Sequence, residues 1–146
     1  MVDGEEEMST QITNEVRIEG VSGIKQPEAT ALAEAQNRAL LHTLYLLDDA
    51  QWAAPTDCVG WSVKDIASHI LGWAESLTSF TDTRRQVGQA IKRRKELGNI
   101  LDAQNQVQAD SGRLIPTNEL LLRLEEMLPR MVKRRASGSC SSEWRT

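Results

Sequence analysis

The sequence predicts an all-α chain of three long helices between two disordered tails. Three observations carry that expectation. Apolar residues recur at helical spacing in three separate stretches. The aromatic fraction is 4%, with four Trp against one Tyr and one Phe, so the core is built from Leu, Ile, Val and Ala. Such a core suits helices better than sheets. Finally, residues 60–65 carry a complete set of helix-start signals. At 146 residues the chain is long enough for one modest core and too short for two ordinary domains.

Residues 1–26 are rich in Glu, Gly, Ser and Thr and read as a disordered acidic tail. The alternating piece Ile12–Ile18 could pair as a strand but has no partner run nearby. Pro27 opens the first helix at a position where the missing N–H costs least. From Glu28 to Asp49 the stripe Ala33, Asn37, Leu40, Leu44 and Leu47, widened by Leu41, marks the buried side. Asn37 on that stripe needs hydrogen-bond partners if it is covered. His42 projects to the opposite face and is assigned no function. Asp48 and Asp49 suit the C-terminus of this helix poorly, because its dipole disfavours anions there.

The second helix begins at Val63. Pro55, Asp57 and Gly60 punctuate the loop before it. Ser62 and Asp65 form a capping box, in which the Ser62 hydroxyl accepts the Asp65 N–H and the Asp65 carboxylate accepts the Ser62 N–H. Val63, Ile66, Ile70, Trp73, Leu77 and Phe80 fall on one stripe at 100° per residue. His69 sits on the shoulder of that stripe, where a lone histidine is ordinarily a half-buried packing residue. The helix is expected to reach Leu97, with Gly98 as C-cap. Its basic run, within Arg84–Lys95, reads as a solvated helix end whose cations favour the C-terminus. Anion binding is the competing reading of that run.

Residues 99–112 read as a short helix or a turn-rich crossover. Pro116 and Thr117 start the third helix, with Thr117 as N-cap. Its buried side is Leu120, Leu121, Leu124, Met127, Leu128, Met131 and Val132, and Pro129 is expected to kink it. Residues 137–146 lack apolar periodicity and read as a disordered tail.

Net charge is −4. Up to Gly60 there are eleven acidic and three basic residues, and from Trp61 onward ten and fourteen. The basic runs carry no interleaved aromatics, so nucleic acid is not an expected partner. Two cysteines, Cys58 and Cys140, make no disulfide framework. No stretch reads as a signal peptide or a membrane span. The expectation is a soluble, cytoplasmic protein with reduced thiols.

Residues 52–69 carry a denser pattern, W-x-x-P-T-x-C-x-G-W-x-V-x-D-x-x-x-H, formed by Trp52, Pro55, Thr56, Cys58, Gly60, Trp61, Val63, Asp65 and His69. This resembles the N-terminal domain of the mycothiol-dependent maleylpyruvate isomerases, which belong to the DinB-like metal-binding helical bundles. The resemblance covers about residues 28–135 and implies a domain over 27–136. It also implies a bundle of four helices, of which this sequence shows three, and a divalent metal, zinc foremost, with mycothiol as thiol cofactor. His69 stands where the family has its first metal ligand. The resemblance places the second and third ligands, a Glu or His and a His four residues on, in the last helix. No such pair follows Arg135. Cys140 and Glu143 are three apart and could in principle join His69, but they sit in a stretch with little helical support.

The expectation is therefore a truncated maleylpyruvate isomerase-type domain, weakly active or inactive alone. The other reading is a non-catalytic helical interaction module. In that case a homodimer, or a partner helix, fills the groove of the absent fourth helix.

Overall fold

The structure, a computed structural model, describes residues 22–137. All named elements within them are helices: α1 (Gln26–Tyr45), α2 (Asp49–Ala53), α3 (Val63–Thr78), α4 (Phe80–Leu97), α5 (Ile100–Arg113) and α6 (Thr117–Ser137). The expected tails, the Ile12–Ile18 piece, Cys140 and Glu143 lie outside the described residues, apart from the first few positions before α1 and Ser137 at the end of α6.

The all-α expectation holds, but the long helices are divided differently. The first ends at Tyr45 rather than Asp49. Asp48 instead caps the short α2: its carboxylate accepts the Gln51 N–H at 2.8 Å, and Gln51 Oε1 accepts the Asp48 N–H at 2.9 Å. The aspartates unsuited to the end of one helix are thus at the favourable end of the next. The second helix breaks at Ser79, which is extended (φ −132°, ψ 118°) and whose Oγ accepts the Asp82 N–H to start α4. The crossover is a full 14-residue helix, α5, capped by Asn99. Gly98 ends α4 at φ 85°, a conformation glycine adopts without strain.

The core joins α1, α2, α3 and α6: Leu44, Trp52, Ala67, Leu71, Ala74, Leu120, Leu121, Leu124, Leu128 and Met131. Nearly every residue expected on the buried side of the last helix is there, and α6 runs on through Pro129. α1 and α6 are antiparallel, since Gln26 Nε2 reaches the Arg135 carbonyl at 3.5 Å while Tyr45 neighbours Glu125.

Val63 and Ile70 of the expected α3 stripe pack against the core, but the most buried side of α3 is turned away from the rest of that stripe. Ala67, Leu71 and Ala74 enter the core, and Ser68 and Gly72 face α5. Trp73 is 38% exposed, Leu77 37% and Phe80 83%. The reason is that α3 is packed by α6 and by α5 on two sides. Small residues allow those close approaches, and the largest apolar side chains are left on the remaining side. Two contacts measure the closeness of α3 and α5. A Cβ at Gly72 would stand 2.9 Å from the Gln108 side chain, and one at Gly112 would overlap the Ser68 side chain.

Candidate functional site

The loop entering α3 is built as its sequence suggests. Gly60 takes φ 80°. The Thr56 N–H donates to the Trp61 carbonyl at 3.0 Å and the Val63 N–H to the Ala54 carbonyl at 3.0 Å, closing a narrow hairpin-like loop. The capping box forms as expected, with Asp65 N–H to Ser62 Oγ at 3.2 Å and Ser62 N–H to Asp65 Oδ2 at 2.8 Å.

Asp65 does more than cap. Its other oxygen accepts from Arg113 Nε at 2.7 Å, tying the start of α3 to the end of α5. Arg113 also pairs with Asp110 at 2.9 Å, and Asp110 with Arg93 of α4 at 2.6 Å. Gln106 donates to Asp110 at 2.8 Å and accepts from the Trp61 indole N–H at 3.2 Å. Burial pushes the Asp65 carboxyl up, but the Ser62 N–H, the Arg113 guanidinium and the Ser62 hydroxyl outweigh it and hold it below its ordinary value. Burial acts the same way on Asp110 and is outweighed by Arg93, Gln106 and Arg113. One polar network therefore fixes the loop and α3, α4 and α5 relative to one another.

His69 lies beneath that network, about a turn and a half into α3. Its ring is 5.4 Å from the Trp61 ring, tilted by 57°. Its Nδ1 is buried and has no hydrogen-bond partner. Burial pushes the imidazole below its ordinary value of 6.5, and the neighbouring Gln108 carboxamide only partly opposes this. The ring is consequently neutral at pH 7, with a buried nitrogen unsatisfied by protein.

Behind it runs a chain of two buried carboxamides, each 2% exposed. Gln86 Nε2 donates to the Gly72 carbonyl at 2.8 Å, and Gln108 Nε2 donates to Gln86 Oε1 at 2.9 Å. A backbone carbonyl can only accept, so it orients Gln86, and Gln86 in turn orients Gln108. Gln86, Gln108 and the Asp110–Arg113 pair were not singled out in the sequence. Their only signal there is polar residues interrupting the apolar spacing of α4 and α5.

His42 is exposed, as expected, and Asn37 is half-buried with its Nδ2 unpartnered. Among the described residues no three of His, Cys, Asp and Glu come together in a way that could hold a metal ion. The groups found beside His69 are an indole and a carboxamide, neutral and poor ligands for zinc. The unsatisfied Nδ1 suits a ligand role, but the described donor set does not fit a zinc centre.

The all-α core, with its crossover through α4 and α5 between α3 and α6, is that of a DinB-like helical bundle. Residues 33–138 match the mycothiol maleylpyruvate isomerase N-terminal domain, and the chain belongs to that family. No curated protein and no solved structure matches the chain at a significant level. No helix of the described residues is long and apolar enough to cross a membrane.

Proposed function

We propose that the chain is a maleylpyruvate isomerase-type domain whose described residues contribute a single metal ligand, His69. Alone it is weakly active or inactive. The observation that carries this reading is the surroundings of His69: a neutral imidazole with an unsatisfied buried nitrogen and, among the described residues, no second or third metal donor nearby. A catalytic zinc needs three protein ligands and an open position. When bound in a complete site, the metal would hold the sulfur of a thiol such as mycothiol as thiolate at neutral pH. The described residues do not complete such a site, and the domain's own contribution is positional. The Asp65–Arg113 and Gln86–Gln108 contacts hold α3 against α5 and keep the imidazole half-buried and neutral. The setting is the cytoplasm, where the exposed Cys58 stays a free thiol. The test is mycothiol-dependent isomerisation of maleylpyruvate by the purified chain with added zinc. Turnover near background supports the reading, and metal-dependent turnover abolished in His69→Ala overturns it.

A second reading, a non-catalytic interaction module, is favoured by a separate observation. Trp73 and Leu77 near the end of α3 and Phe80 at the start of α4 are apolar side chains 37–83% exposed. Among the described residues their only cation–π partner is Arg135, 5.5 Å over the Trp73 ring. In this reading a second copy, or a partner helix, covers these side chains. Sedimentation of the wild type and of Phe80→Asp tests it. A dimer that dissociates in the variant supports self-association, and a wild-type monomer at micromolar concentration removes it.

A further inference from the structure

We propose that the groove between α4 and α5 binds a small phosphorylated anion. It is an open groove of about 470 Å³, within the size range of small-ligand sites. From α4 it is lined by Arg85, Gln89, Lys92 and Arg93. At 100° per residue these four fall within an arc of about 100°. The basic stretch thus turns its Arg85–Lys92–Arg93 side toward α5, rather than forming only a solvated helix end. Across the groove stand Val107, Asp110 and Ser111. Val107 is 4% exposed and gives the groove an apolar floor.

The charge balance points to an anion. Three cations line the groove against one carboxylate, a surplus of two positive charges. That carboxylate, Asp110, is already engaged by Arg93 at 2.6 Å, by Arg113 at 2.9 Å and by the Gln106 amide at 2.8 Å. Arg93 is thereby held in one orientation, with part of its fork left to donate elsewhere. Arg85 reaches Asp82 at 3.2 Å but is 44% exposed and free to turn. Lys92 makes no ion pair among the described residues. Like charges on one helix stripe repel one another, and a dianion among them would relieve that repulsion. Two guanidiniums and an ammonium match the oxygens of a phosphate group better than those of a single carboxylate. Gln89 and Ser111 offer polar contacts to the remainder of the ligand.

The test is titration of the full chain, at low ionic strength, with inorganic phosphate, pyrophosphate, glucose 6-phosphate and succinate. It is read by calorimetry and by amide shifts at Lys92 and Ser111. The expected result is saturable one-to-one binding of pyrophosphate or glucose 6-phosphate, with succinate at least tenfold weaker. Preference for glucose 6-phosphate assigns a phosphorylated metabolite, and preference for pyrophosphate or phosphate assigns an inorganic ligand. Both support the site. Lys92→Ala and Arg85→Ala should each weaken binding about tenfold, while Arg94→Ala, on the far side of α4, should leave it unchanged. The proposal is overturned by succinate binding as tightly as pyrophosphate, by an equal loss in Arg94→Ala, or by no saturable binding at millimolar concentration.

Discussion

Substitution of Gly112 by alanine tests how the site is held. An added Cβ would overlap the Ser68 Oγ and Cβ and stand 3.2 Å from the Ser68 Cα. Ser68 is 1% exposed, and its hydroxyl donates to the Lys64 carbonyl at 2.7 Å. Rotating the hydroxyl away would leave the clash between the two Cβ atoms, because the backbones set their positions. The helices must therefore separate toward ordinary carbon–carbon contact, about 3.5–4.0 Å. Overpacking of this kind costs roughly 1–3 kcal/mol. The gain in helix propensity from Gly to Ala, about 1 kcal/mol, offsets part of it. The net loss is then up to about 2 kcal/mol, a Tm lower by up to roughly 10 °C in a domain of this size. Gly88 is the control, because a Cβ there meets nothing within 4 Å. Gly88→Ala should stabilise by about 0.5–1 kcal/mol. Thermal and urea unfolding read both variants, and Ser68→Gly in the Gly112→Ala background should recover much of the loss. A Gly112→Ala protein as stable as Gly88→Ala would refute the close α3–α5 approach and the placement of Gln108 beside His69.

Further outcomes follow from the polar contacts. Asp65→Ala removes the carboxylate half of the capping box, which accepts the Ser62 N–H, and the bond to Arg113, while the Ser62 hydroxyl keeps the residue-65 N–H. Arg113 is 47% exposed and can re-solvate, so the loss in urea unfolding should be about 1–2 kcal/mol, mostly that of the bond to the Ser62 N–H. The Asp65 and Asp110 carboxyls are held below their ordinary 3.8 in the folded chain. Their stabilisation is complete above that value and lost as pH falls through the folded values, and Asp65→Asn should flatten part of this acid limb. His69 is also depressed, from 6.5. As pH falls below 6.5 the unfolded chain takes up a proton that the folded ring resists, so stability declines until the folded value is passed. His69→Gln should remove that decline, whereas His42→Gln should leave it intact. Gln86→Leu leaves the buried Gln108 amide without its acceptor, Gly72 O keeping its intrahelical partner, and should cost about 1–3 kcal/mol. Adding Gln108→Leu should cost less than the sum of the two single changes.

The fold was legible where periodicity and capping agree. The α6 stripe from Leu120 to Val132, the Ser62–Asp65 box and the positive φ at Gly60 and Gly98 are all local properties. The α3 break was not, because Thr78 and Ser79 carry no Gly or Pro, and the break depends on the Ser79 cap of α4. Nor was the most buried side of α3. Hydrophobicity weights Ile, Trp and Leu, whereas two close helix contacts select Ala67, Ser68, Gly72 and Ala74 for size. His69 was legible through its motif, but its partners were not. Gln86, Gln108 and Arg113 are 17, 39 and 44 positions further along the chain, and no local rule joins them to it.

The most direct measurement is the zinc content of the purified full chain after dialysis against buffer, beside that of His69→Ala. Well under one zinc per chain is expected, with little difference between the two, because a single imidazole does not hold zinc. One zinc per chain that survives dialysis and is lost in His69→Ala would contradict this and restore a complete metal centre.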